Sequence, residues 1–151
     1  MNNNGLYIIK KYNLLSDENP SSLIVDTLNI LSQLARISKN YYDNIHVIDI
    51  YPELKKLIVH KEPSVRAKVC NFIGNICRHS GNFYENLLKN DLIAACIDCC
   101  KDSDKATRKF ACFAVGNAGF HNGTLYEYLR PVVPLLVDLL KDPEVILSKR
   151  N

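Results

Sequence analysis

The sequence contains no tryptophan, a single methionine, six glycines and six prolines among its 151 residues. No apolar run approaches the roughly 20 residues that span a bilayer, so no membrane helix is expected. The first residues show no basic segment leading into a secretory apolar stretch, and no signal peptide is expected. With no secretion signal, the six cysteines read as reduced thiols and not as a disulfide framework. The net charge is +3, too small an excess to indicate nucleic acid by itself. These absences point to a soluble protein of the cytoplasm. What is present is ordinary: 47% hydrophobic and 23% charged residues. A chain of this length buries roughly two-thirds of its unfolded surface, enough for a core.

An internal repeat dominates the sequence. Residues 63–87 superimpose on residues 105–129 without a gap. Arg66 falls on Arg108, Cys70 on Cys112, Gly74-Asn75 on Gly116-Asn117, His79 on His121, Gly81 on Gly123 and Tyr84-Glu85 on Tyr126-Glu127. After a short deletion, Asp98 to Asp102 matches Asp138 to Asp142. A fainter copy precedes both, with Leu28, Leu31, Gln33, Arg36 and Tyr42 at the places of Cys70, Ile73, Asn75, Arg78 and Tyr84. The period of about 42 residues lies in the range of helical repeats that stack into solenoids.

Each unit reads as helices only. From Pro63 to Ser80 the residues Val65, Val69, Phe72, Ile73 and Ile76 share one face at helical spacing. Pro63 suits a first turn, and Gly81 suits a left-handed stop. A short helix from about Asn82 to Lys89 and an apolar one from Asp91 to Lys101 complete the unit, and the order repeats through Pro131 to Lys141. Pro134 falls in a first turn, where it breaks no helical bond. The expected fold is all-α, with units at about 21–62, 63–104 and 105–142 and partial units at both ends. Leu6 to Leu15 looks like the close of one unit, and Asp142-Pro143-Glu144-Val145 like the opening of another. Neither end resembles a polar cap. The reading is a segment of a longer array, truncated mid-repeat at both ends, with self-association through those ends as an expected hazard.

The Gly-Asn pair inside a long helix, preceded by alanines or aromatics, resembles the third helix of armadillo repeats. The runs RKFACFAVGNAGFHN (Arg108 to Asn122) and VRAKVCNFIGNICRHSGNFYENLL (Val65 to Leu88) resemble the armadillo-type region of Fused-family serine/threonine kinases of the Unc-51-like class, over about residues 63–145. The resemblance implies a right-handed α-solenoid, and a parent chain with an N-terminal kinase domain and a helical-repeat tail. It implies roles in cilium or flagellum function, signalling or cytokinesis, with a cytoskeleton-associated location and kinesin-type motors among the partners. The chain itself has no glycine-rich loop, no His-Arg-Asp loop and no Asp-Phe-Gly. The segment is therefore expected to be non-catalytic and without cofactor, with ATP and Mg belonging only to the absent kinase domain.

In armadillo proteins the asparagine of the third helix lines a groove and bonds the backbone of an extended peptide. The matching positions are Asn75 and Asn117, with Gln33 in the faint copy. An amide both donates and accepts, which suits a peptide backbone of any sequence. Lys68, Asn71 and His79 share that face, as do Phe110, Phe113 and His121 in the next unit. A local role is the alternative, since most amides on long helices bond nearby groups or water. The tryptophan usual four residues before the asparagine is replaced by Asn71 or Phe113. Of Phe110, Phe113 and Phe120, at least two are expected to pack between helices. Cys96, Cys99 and Cys100 align with Leu136, Leu139 and Leu140, so they read as core residues; zinc would need a second pair of ligands. The two histidines near helix C-termini suit the helix dipole. Arg66 and Arg108 are expected to pair with a carboxylate of the Asp98 or Asp102 type. No paired-carboxylate or Ser/His/Asp set recurs.

The sequence thus reads as a protein-interaction scaffold that docks a protein or extended peptide, with a kinesin-type motor or the parent kinase domain as candidate partners. The competing reading is a nucleic-acid module using Lys68, Arg78, Lys105 and Lys109. Interspersed acidic residues and the modest net charge oppose it.

Overall fold

The computed structural model describes residues 4–37, 41–121, 123–139 and 141. Among them every regular element is helical, as the apolar spacing leads one to expect. Three helices of 17 residues form the frame: α2 (Ser21–Ile37), α5 (Pro63–His79) and α8 (Lys105–His121), whose first residues keep the spacing of the repeat. Between them lie pairs of short helices, α3 (Tyr42–Val47) with α4 (Tyr51–Leu57), and α6 (Tyr84–Lys89) with α7 (Leu92–Cys99). A lone α1 (Asn4–Lys11) precedes the frame, and α9 (Gly123–Leu129) with α10 (Val133–Leu139) follows it. The stretch from Asp142 that reads as the start of a further unit lies outside the described residues.

Helix α5 lies between the other two long helices, packing on α2 with one face and on α8 with the other. The expected core stripe of α5, Val65, Val69, Phe72, Ile73 and Ile76, is buried throughout. The core continues through the short helices in Ile45, Leu54, Leu57, Leu87, Leu92 and Ile93.

Helix starts follow local chemistry. Pro63 occupies the first turn of α5, where its missing N–H loses nothing. Helix α8 is capped by Asp104, whose Oδ2 accepts from the Thr107 N–H at 2.7 Å and from its hydroxyl at 2.8 Å. The stop at Gly81 differs from expectation, since no described glycine has positive φ. Ser80 ends α5 instead in an extended conformation, its N–H bonded to Ile76 O at 3.2 Å and its Oγ accepting from Asn82 N at 3.0 Å. With the helix end satisfied by serine, Gly81 simply opens a 3-10 turn over Gly81–Phe83. The left-handed residues are Asn13, Asp49 and Asp91, at φ 48°, 44° and 56°. Asp49 and Asp91 occupy the same position in consecutive units, so the repeat extends to the backbone at the joint between the two short helices.

An arginine device also recurs. Arg66 Nη1 donates to the carbonyls of His60 and Lys61 at 2.8 and 3.1 Å. In the next unit Arg108 Nη1 donates to those of Asp102 and Ser103, both at 2.9 Å. Each guanidinium thereby ties the start of a long helix to the turn before it. Arg66 adds a two-pronged pair with Asp102, Nε to Oδ2 at 2.7 Å and Nη2 to Oδ1 at 2.8 Å, as the sequence reading anticipated. By register the matching carboxylate for Arg108 is Asp142, which lies outside the described residues.

Candidate functional site

The long-helix layer carries the residues that the armadillo resemblance singles out, and the structure divides them into two groups. Phe113 and Asn117 serve the contact between α5 and α8. A Cβ placed on Gly74 would collide with Phe113 Cδ1 and lie 2.5 Å from its Cε1, so the aromatic ring occupies the space that a side chain at 74 would need. One turn on, Asn117 Nδ2 donates to the Gly74 carbonyl at 3.1 Å. Phe110, half-buried, packs against the core. Phe120, by contrast, is 82% exposed, so two of the three phenylalanines pack.

Gln33 is exposed, and Lys68, Asn71 and Asn75 are half-buried on α5. Asn75 stands at the repeat position of Asn117 yet bonds within its own helix, Nδ2 to Asn71 Oδ1 at 3.4 Å. That long bond leaves both amides accessible to another acceptor or donor. The side chains of His79 and His121 lie outside the described residues.

The cysteines behave as core residues. All six are thiols, five of them buried, and Cys112 is half-buried with its Sγ 3.9 Å from Cys100 Sγ. Burial pushes the Cys77 thiol up to about 12. Cys70 is raised by its hydrogen bond with Cys96, Cys99 by its bond with Cys70, and Cys100 by its bond with Cys112, each with burial adding to the effect. At neutral pH these groups are uncharged, weak as nucleophiles and as metal ligands. An open cleft of about 410 Å³ lies between the turn after α4 and α7. Its polar lining is the Arg66–Asp102 pair, committed to each other, with His60, Lys61 and Asp98.

One polar cluster escaped the sequence reading. The Tyr51 hydroxyl and His46 Nδ1 are 2.7 Å apart, Asn86 Nδ2 is 3.3 Å from the same nitrogen, and the His46 ring stacks on Phe83 at 4.7 Å. Burial raises the Tyr51 phenol. The repeat alignment carried a signal for it, because the next unit places Leu88 and Ile93 where His46 and Tyr51 stand.

Taken together, the chain is an all-helical protein built on a regular repeat, with no helix among the described residues long and apolar enough to cross a membrane. Over 57 residues, 38% of its length, it is 44% identical to the serine/threonine-protein kinase TIO of Arabidopsis thaliana. That stretch is 4% of the kinase, so the chain spans only a small part of the relative it matches. No protein-family model matches the chain.

Proposed function

We propose that this chain is a non-catalytic interaction scaffold, an armadillo-type, right-handed solenoid segment of a Fused-like serine/threonine kinase. The stack of α2, α5 and α8 carries the reading: three helices of equal length at a fixed period, two of them anchored by the same arginine device. Stacked units of this kind present extended surfaces to partners. The partial identity to a serine/threonine kinase supports the parentage.

The docking surface we assign is the accessible part of the long-helix face, Gln33, Lys68, Asn71 and Asn75. Asn117 and Phe113 hold the frame behind it. Its amides suit the backbone of an extended peptide, and Lys68 favours an acidic residue in that peptide. A kinesin-type motor or the kinase domain of the parent chain is the partner proposed, with a cytoskeleton- or cilium-associated site of action.

The test is a pull-down from cell extract with the native chain and a Lys68→Glu/Asn71→Ala/Asn75→Ala variant, both checked by circular dichroism. These side chains are not buried, so the variant is expected to fold. Loss of a kinesin-type motor or of the kinase with the variant alone supports the reading. Identical catches contradict it.

A further inference from the structure

The cleft between the turn after α4 and α7 lies inside the stack, where one unit meets the next, and its polar groups are not all spent. His60 is 8% exposed, and its Nδ1 accepts from the Glu62 N–H at 3.0 Å. That bond fixes the tautomer, so the ring proton sits on Nε2, which has no acceptor among the described residues. Nε2 is not sealed in, since the Ser32 hydroxyl is the one enclosed side-chain atom without a partner among the described residues. The imidazole lines the cleft and offers its N–H there. Arg66 uses four of the five N–H groups of a guanidinium, two on Asp102 and two on the carbonyls of His60 and Lys61. One N–H of Nη2 is left. Two exposed charges complete the lining, Lys61 on the turn and Asp98 on α7, neither with an ion-pair partner among the described residues. Ile58, Val59 and Ala95 supply apolar wall between them.

We infer that this cleft binds an extended peptide of a partner protein through a glutamate, with a lysine or arginine two residues further on. The glutamate carboxylate accepts from His60 Nε2, Arg66 Nη2 and Lys61 Nζ, three donors that include two cations. Its methylenes lie on Ile58 and Ala95. Asp98 stands on the other wall, where it attracts a cation and repels a second acid. Side chains two residues apart share one face of an extended chain, which sets the spacing of the two charges. The volume of about 410 Å³ suits one side chain with its backbone. Pockets for small ligands enclose most of the ligand surface, and this cleft is open, which favours a peptide lying across it. Arg66 stands about two and a half turns before Asn75, on the opposite side of α5, so the cleft is separate from the docking surface above.

The test titrates the isotope-labelled chain with the blocked peptide Ac-Ala-Glu-Ala-Lys-Ala-NH2 and follows it by NMR. Saturable shifts are expected at the amides of Val59, Lys61, Ala95 and Asp98 and at the His60 ring, with Lys68 and Asn75 unmoved. Glutamine in place of the peptide's glutamate, or Lys61→Glu in the chain, weakens binding by roughly fivefold or more. Asp98→Lys reverses the choice at the second charge, so that Ac-Ala-Glu-Ala-Glu-Ala-NH2 becomes the tighter ligand. Lys61 and Asp98 are exposed, so both variants are expected to fold as the native chain does. Absence of cleft shifts at millimolar peptide overturns the proposal, as does an Asp98→Lys chain with unchanged preference. Glutarate that binds as tightly as the peptide overturns it in favour of a small carboxylate. Shifts confined to the Lys68 and Asn75 face overturn it while supporting the docking surface above.

Discussion

The joint between α5 and α8 and the joint between α2 and α5 occupy the same place in the repeat, yet they are built from different chemistry. At the first, Phe113 lies against Gly74 and Asn117 donates to the glycine carbonyl. At the second, register puts Asn71 where Phe113 stands and Ser32 where Gly74 stands. The Ser32 hydroxyl is buried with no hydrogen-bond partner among the described residues, and Asn75 bonds weakly to Asn71. An aromatic in a glycine notch is dry and fixes one spacing between the helices. A buried serine hydroxyl without a partner leaves a donor unmet. The repeat therefore tolerates a loose joint beside a tight one, because the arginine device and the short helices hold the units together at both. The loose joint is also where the accessible amides lie.

That contrast can be broken at four points. The largest effect is expected from Arg66→Ala. The guanidinium and Asp102 are 14% and 12% exposed, so removing the arginine leaves the carboxylate only its bond from the Asp104 N–H and frees the His60 carbonyl, at a cost of about 3 kcal/mol in urea unfolding. The same pair sets the acid response. Arg66, donating to it, holds the Asp102 carboxyl below its ordinary range. The pair's contribution is thus complete above the unfolded carboxylate value and is lost as pH falls through the lower folded value, so stability drops below about pH 4. In Arg66→Ala that acid slope is shallower.

Asn117→Ala is expected to cost about 1 kcal/mol and Asn75→Ala a few tenths, since only the first removes a short bond between helices. Equal losses would show that the two joints are not chemically distinct. Ser32→Ala is the smallest change and has the opposite sign. Removing an unmet buried hydroxyl and adding a better helix former stabilises by about 0.5 kcal/mol, read as a higher urea midpoint.

Much of the frame was legible in the sequence because a fixed period converts one helix into three. Pro63 and the Val65-Val69-Phe72-Ile76 stripe located α5, and the offset then located α8 and, through Leu28 and Leu31, α2. The Arg66 pairing was legible for the same reason, and so were the leucine-like cysteines. What was not legible depended on distances across joints. The bond of Asn117 across the joint rests on the 3.1 Å to Gly74 O, and the glycine's role on a ring that belongs to the next unit of the repeat. The left-handed turn went to Gly81 by propensity, but Ser80 supplied the cap and Asp49 and Asp91 took the positive φ. The His46–Tyr51 cluster was missed because it departs from the repeat that guided the reading.

The central claim is that Gly74 is a seat for Phe113 which fixes how consecutive long helices stack. Urea unfolding of Gly74→Ala in two backgrounds, native and Phe113→Ala, tests it most directly. In the native chain the new methyl collides with the ring, and the substitution destabilises by about 1–2 kcal/mol despite alanine's better helix propensity. With Phe113 truncated the collision with the ring is gone and only the tight approach to the Ala114 Cα at 3.1 Å remains, offset by alanine's better helix propensity, so the same substitution changes stability by less than about 0.5 kcal/mol. Loss of most of the destabilisation is the result the account predicts. An effect of the same sign and size in both backgrounds would contradict it.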